Sequence, residues 1–148
     1  MNALYRVLDD IRDHFLGDGM TQSIRFDSVE TVGDDKNTTF SQVVIDLSSA
    51  TPLNGSISLS LSLVAVDVID VNKVKDSTDE FYGGDNYIDV LQAQMNVLTK
   101  FNNALRSGGL STDYELQGQP VMTPFKDNYI GGYIMNVNVV IPNETSAC

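Results

Sequence analysis

The sequence predicts an α+β domain: a mainly antiparallel sheet with two helices packed on one face and one long projecting β-hairpin. Two stretches place apolar residues at helical spacing. Several others alternate or run as β-branched segments. The extended segments come in hairpin-linked groups instead of alternating singly with helices, which favours antiparallel pairing. The chain has 148 residues, 42% apolar and 20% charged. That size and composition suit one globular domain over 1–148, with 144–148 as a flexible tail.

The first helix is expected over Asn2–Leu16. Leu4, Val7, Leu8, Ile11, Phe15 and Leu16 share one face, and Arg6, Asp9, Asp10 and Asp13 lie on the other. Gly17-Asp18-Gly19 stops it. Ser23–Val32 reads as extended, and Gly33-Asp34-Asp35-Lys36-Asn37 as a turn or hairpin tip. Phe40–Leu47 is a strand, and Thr51-Pro52-Leu53-Asn54-Gly55 a turn.

The next stretch, GSISLSLSLVAVDVIDV over Gly55–Val71, is the most unusual in the chain. Ile57, Leu59, Leu61 and Leu63 alternate with Ser56, Ser58, Ser60 and Ser62. After Leu63 the stronger alternation, Val64, Val66 and Val68, falls in the opposite phase. A strand exchanges its buried face only through a bulge, a bend or burial on both sides. We read one strand of about 45–50 Å at 3.3 Å per residue. The slip at Leu63–Val64 marks where it leaves the core, and the serine face meets solvent or a neighbouring subunit.

An acidic loop follows, then a second helix over Asn86–Ser107. Its stripe is Ile88, Leu91, Met95, Leu98, Phe101 and Leu105. Asp85 or Asn86 caps the start, Asp89 suits the first turn and Arg106 the last. Gly108 and Gly109 end it. Two strands close the fold, Tyr114–Met122 and Gly132–Ile141, separated by an exposed aromatic tip over Thr123–Gly132.

No chemistry stands out. A net charge of −11 argues against a protein that grips nucleic acid, which needs clustered Lys and Arg. The single histidine, His14, has no nucleophile or metal partner in register and reads as structural. The pairs Asp9 with Asp13 and Asp67 with Asp70 are not distinguished from solvated charge. Asp79, Glu80, Asp85 and Asp89 offer oxygen ligands, but without EF-hand spacing or a tandem repeat. The only cysteine, Cys148, can form no intrachain disulfide. We therefore expect no enzyme, no cofactor and no metal site. No apolar run is long enough to span a membrane, and the acidic first residues predict no secretory leader and a cytoplasmic site of assembly.

Two loops carry aromatics suited to contact: Phe81 and Tyr82 in the acidic loop, and Phe125 and Tyr129 in the last tip. With the serine face (Ser58, Ser60, Ser62), these are the expected partner-contact residues. Asp67, Asp70, Asp76, Asp79 and Glu80 are the candidate acidic surface.

The whole order of elements resembles the tail terminator and tail completion proteins of tailed bacteriophages. It comprises the opening helix, the antiparallel hairpin with a long strand (Phe40–Val71), the central helix, and a closing hairpin whose last strand opens on two glycines, GGYIMNVNVVIPN (Gly131–Asn143). The resemblance covers nearly the full chain and rests on topology without a diagnostic motif. It implies a ring, commonly a hexamer, that caps the tail tube and joins it to the neck. The partners would be copies of itself, the tail tube protein and neck connector proteins. DNA would pass through without specific binding, past acidic side chains, and no membrane would be involved. The location would be the virion, at the tail–neck junction, after assembly in the host bacterial cytoplasm. Two alternatives stand beside it. One is another neck ring or a tail tube subunit; the other is a small-ligand or peptide binding module with its pocket between sheet and helices.

Overall fold

Two strands at the centre of the sheet, Ser56–Val68 and Ile130–Pro142, pair antiparallel over 13 residues with no break in register. In the computed structural model the elements run α1 (Ala3–Gly17), β1 (Ser23–Phe26), β2 (Gln42–Leu53), β3 (Ser56–Val68), α2 (Tyr87–Arg106), β4 (Glu115–Gln117), β5 (Met122–Asp127) and β6 (Ile130–Pro142). The structure describes residues 3–27, 41–69, 87–127 and 130–142. The strand order is β1-β2-β3-β6-β4, with β5 also on β6. All pairs are antiparallel except β1 with β2. The expected class, α+β with a mostly antiparallel sheet, is the observed one.

Both helices lie on the same face of the sheet. Register explains why. Val43 and Ile45 of β2, Leu59, Leu61, Leu63 and Ala65 of β3, and Met135, Val137, Val139 and Ile141 of β6 all project to one side, because successive strand residues alternate. Val7, Ile11 and Phe15 of α1 and Val97, Leu98, Phe101 and Leu105 of α2 close over them. Phe15 and Phe101 stack with centroids 5.0 Å apart where the helices meet. Gly19, at φ 80°, turns the chain away from α1. The buried face of α2 is rotated from the expected stripe. Val90, Gln94 and Val97 are buried, whereas Ile88 is 47% exposed. Ile88 lies one residue into the helix, at the margin of the sheet contact, so its position on the stripe does not bury it.

The phase slip in β3 has a different cause from the one expected. The β3–β6 register is unbroken across it, and Leu63, Val64, Ala65 and Val66 are each 0% exposed. The strand does not leave the core at Leu63–Val64; it is buried on both faces there. Val44, Val64, Val66 and Ile130 form a second, smaller cluster on the face away from the helices, with Phe125 and Ile134 packed against it. The serine half, not the valine half, reaches outward.

Four further expectations are corrected. The β2–β3 turn is two residues, Asn54-Gly55, not Thr51–Gly55: Thr51, Pro52 and Leu53 pair with Ser58, Ile57 and Ser56. Gly55, at φ 77°, supplies the positive φ that such a tight turn demands. Next, β1 and β2 run parallel, which a hairpin cannot produce. The anticipated hairpin between them is not made, and Gly33–Asn37 itself lies outside the described residues. The strand expected over Tyr114–Met122 is two strands, interrupted from Gly118, at φ 71°, through Pro120, which has no amide to donate. Finally, the segment expected as a tip, Thr123–Gly132, is strand wherever it is described. Met122–Asp127 is strand β5, paired with Ile130–Met135.

Gly132 is where β6 could not accept a side chain. A Cβ there would fall inside the Ala65 carbonyl and within 3.0 Å of Val66 Cα, both backbone atoms of β3. Substituting Gly132→Ala should therefore push the two central strands apart and cost at least about 2–3 kcal/mol, read as a lowered midpoint in chemical denaturation.

Candidate functional site

Beyond Ile45, β2 has no strand on its outer side among the described residues, because β1 ends at Phe26. The β2–β3 hairpin runs on from there as an arm. Ser48–Gly55 are exposed, and β6 backs the β3 side as far as Ser56 opposite Pro142. No charged residue occurs between Asp46 and Asp67. The arm is therefore uncharged throughout, in a chain of net charge −11.

The face of the arm away from the helices is a polar ladder. Ser60 Oγ donates to Asn138 Oδ1 at 2.5 Å and Ser62 Oγ to Asn136 Oδ1 at 2.6 Å. The Ser48 and Ser62 hydroxyls lie 3.5 Å apart. A bulge between Leu47 and Ser49 lets Ser48 reach across and places Ser49, Thr51 and Leu53 on this same face. Thus Ser58 and Ser60 are half-buried and Ser62 is buried, each in the sheet plane beside a partner strand. Asp46 and Glu115 occupy the margins of these rows. The surface can pack and hydrogen-bond through its hydroxyls and amides, with the Asp46 carboxylate in the same row as Ser62 and Glu115 in the row of Ser58.

A second feature lies on the helix side, at the sheet margin. Leu4, Tyr5 and Leu8 of α1 face Ile24 and Phe26 of β1 across an apolar groove made of two adjoining hollows, about 200 Å³ beside Leu4 and about 260 Å³ beside Ile24 and Ile45. Tyr5 is 69% and Phe26 54% exposed. At the rim, Arg12 pairs with Asp9 at 3.3 Å and with Asp13 at 3.4 Å. The helical stripe explained Leu4 and Leu8, but Tyr5 lies beside it and Phe26 ends a short strand. Neither carried a periodic signal.

Two titratable side chains tie α1 down. Tyr114 Oη donates to Asp10 Oδ2 at 2.6 Å, and burial together with that bond pushes its hydroxyl well above the usual tyrosine range. Arg6 lies 5.8 Å over the Tyr114 ring and 3.4 Å from Asp113. His14 sits edge-on to Phe15 and Phe101, with centroids 5.3 and 5.5 Å away, and its Nε2 is buried with no hydrogen-bond partner. Desolvation lowers its pKa, opposed by Asp18 and assisted by Lys100, which themselves pair at 3.3 Å.

Of the expected contact residues, Ser58, Ser60 and Ser62 come together on the ladder. Phe125 does not join them. It lies in β5, half-buried against the second cluster, because its side chain shares a face with Val64 and Val66. Asp67 is the last residue but one of β3, where its Oδ1 accepts from the Val68 amide at 2.7 Å. Phe81, Tyr82, Tyr129, Asp70, Asp76, Asp79, Glu80 and Asp85 lie outside the described residues, as does Cys148. Asp89 is exposed on the first turn of α2. Among the described residues, no group of three or more His, Cys, Asp or Glu side chains is placed to hold a metal ion. No described helix is long and apolar enough to cross a membrane. Compared with known proteins, the chain matches no family model and no curated sequence.

Because the folded state resists a proton on His14 that the unfolded chain accepts, its contribution is full above pH 6.5 and fades as pH falls below that value. Thermal melts of wild type and His14→Phe across pH 7.5 to 5 should show the wild type losing more stability on acidification.

Proposed function

We propose that the chain is a structural, non-catalytic subunit of a tailed-phage virion, which forms a ring that caps the tail tube and joins it to the neck. One observation carries the reading: the two helices occupy a single face of the sheet, while the other face extends along an uncharged arm. Copies of a chain with net charge −11 repel one another, and they approach at least cost through the hairpin segment Leu47–Val66, which carries no charge. The element order that resembles tail terminators agrees with the observed order from α1 through β6, apart from the extra strand after α2. In this reading the acidic side chains, including Asp67, face the passing DNA and keep it from adhering, and neighbours in the ring meet through the arm.

A peptide- or ligand-binding module would place its pocket between sheet and helices. Among the described residues, one apolar space there is the shallow groove between α1 and β1, open along one side. This favours a protein partner over a small enclosed ligand.

Native mass measured across protein concentration and salt, with negative-stain images of the same sample, tests the proposal. The expected result is a closed ring, with a hexamer as the leading expectation. Open tubes would indicate a tube subunit, and a persistent monomer would favour the binding module. In the same assay Ser49→Asp with Thr51→Asp, both exposed on the arm, should abolish the ring while changing monomer stability by less than about 1 kcal/mol.

A further inference from the structure

We infer that Leu53, at the tip of the β2–β3 arm of one subunit, seats in the α1–β1 groove of the next. This inference rests on the ring reading and specifies its contact. Leu53 is a large apolar side chain, 46% exposed, held beside the two-residue Asn54-Gly55 turn. It stands at the far end of the serine face, in the row of Ser56 and Pro142 and next to the row of Thr51, Ser58 and Val140. The groove is the complementary feature: Leu4, Tyr5, Leu8, Ile24 and Phe26 form an apolar trough of two adjoining hollows, about 200 and 260 Å³. An apolar cavity of about 150 Å³ holds a benzene molecule, so the trough has room for a leucine side chain.

The tip of the same subunit cannot fill the groove. Ile45, in the groove floor, and Leu53 lie on one strand, eight residues or about 25 Å apart, and the strand carries the tip away. An arm tip that fills the groove therefore comes from another molecule. Charge selects a second copy over a basic partner. The arm has no charge to attract one, and the charges at the groove rim, Asp9 and Arg12, neutralise each other at 3.3 Å. Both surfaces therefore suit contact between two acidic chains. The contact is made by side chains and not by strand addition. The free edge of β2 carries the bulge at Ser48 and a proline at position 52, features that blunt edge-to-edge pairing. Tip and groove are different patches, so the contact is heterologous: it propagates from subunit to subunit and closes if its rotation closes.

Disulfide trapping tests this. In the full chain with Cys148→Ser, Leu53→Cys is combined with Tyr5→Cys and oxidised mildly. The expected result is a ladder of covalent multimers on a non-reducing gel, ending at the number of subunits in the native ring. Neither single variant should give more than trace dimer. In parallel, Leu53→Asp should raise the concentration needed for assembly roughly tenfold or more, as expected from leaving one leucine unburied. Leu53 is exposed, so that variant folds, and a thermal melt checks it. Rings of native mass without a ladder, and unmoved by Leu53→Asp, would overturn the contact and leave the ring standing. A ladder without a limit, with filaments in the images, would support the contact and overturn the ring. Efficient dimer from Leu53→Cys alone would mean tip-to-tip pairing and overturn the contact. A monomer with no ladder at any concentration would remove both.

Discussion

The uninterrupted pairing of β3 with β6 is the constraint on which the other elements depend. Its register sends Leu59, Leu61, Leu63 and Ala65 to the same side as Met135, Val137, Val139 and Ile141. Both helices must therefore dock on that side, where apolar area leaves water. The same register sets Ser60 opposite Asn138 and Ser62 opposite Asn136, so the ladder on the other side follows from the core and is not built separately. Gly132 is the condition for this pairing. It lets β6 pass against the backbone of Ala65 and Val66 at the end where both faces are buried.

The gradient along β3 divides the sheet into two parts of different use. Toward Val68 the strand is covered on both sides and serves stability. Toward Ser56 it is covered on one side only, with hydroxyls already bonded across strands. Those bonds hold the serine and asparagine side chains in fixed positions, so a partner meeting this face orders few groups on contact. Pre-ordered polar side chains reduce the entropic cost of association. The paired rim of the groove, Arg12 with Asp9 and Asp13, acts in the same sense, since its charges are already satisfied before anything docks.

Both helices were legible to within a residue or two, because period 3.6 sustained over several turns is a strong signal and glycines mark their ends. The slip at Leu63–Val64 was also legible, but its cause was not. A sequence shows that both phases are apolar without showing what covers the second. Parallel pairing of β1 was hidden because four residues carry little pattern and a polar GDDKN segment looks like a hairpin tip. Thr51-Pro52-Leu53 looked like a turn because Pro and Thr are common in turns; on an edge strand a proline is tolerated. Phe125 looked like a tip residue because Pro124, Lys126 and Asp127 surround it, yet pairing with Gly132 turns it inward. The groove was invisible for a different reason. It arises where a helix and a short strand meet, and neither Tyr5 nor Phe26 announces that meeting. No motif marks the proposed contact surfaces, since a surface that packs on its own kind would need only shape, hydrogen bonds and low charge.

The strand at the centre of the sheet follows every other strand in the chain. Ser62 and Asn136, bonded side by side, lie 74 positions apart in sequence. The β2–β3 hairpin can form early from local contacts, but its second edge stays bare until β6 has been made and lies between β3 on one side and β4 and β5 on the other. Such a topology is closed by its most distant contacts, which slows folding and leaves little room for a stable half-formed state. The arm therefore becomes a rigid, presentable surface at the same step that completes the core, so the proposed contact face exists only in the folded chain.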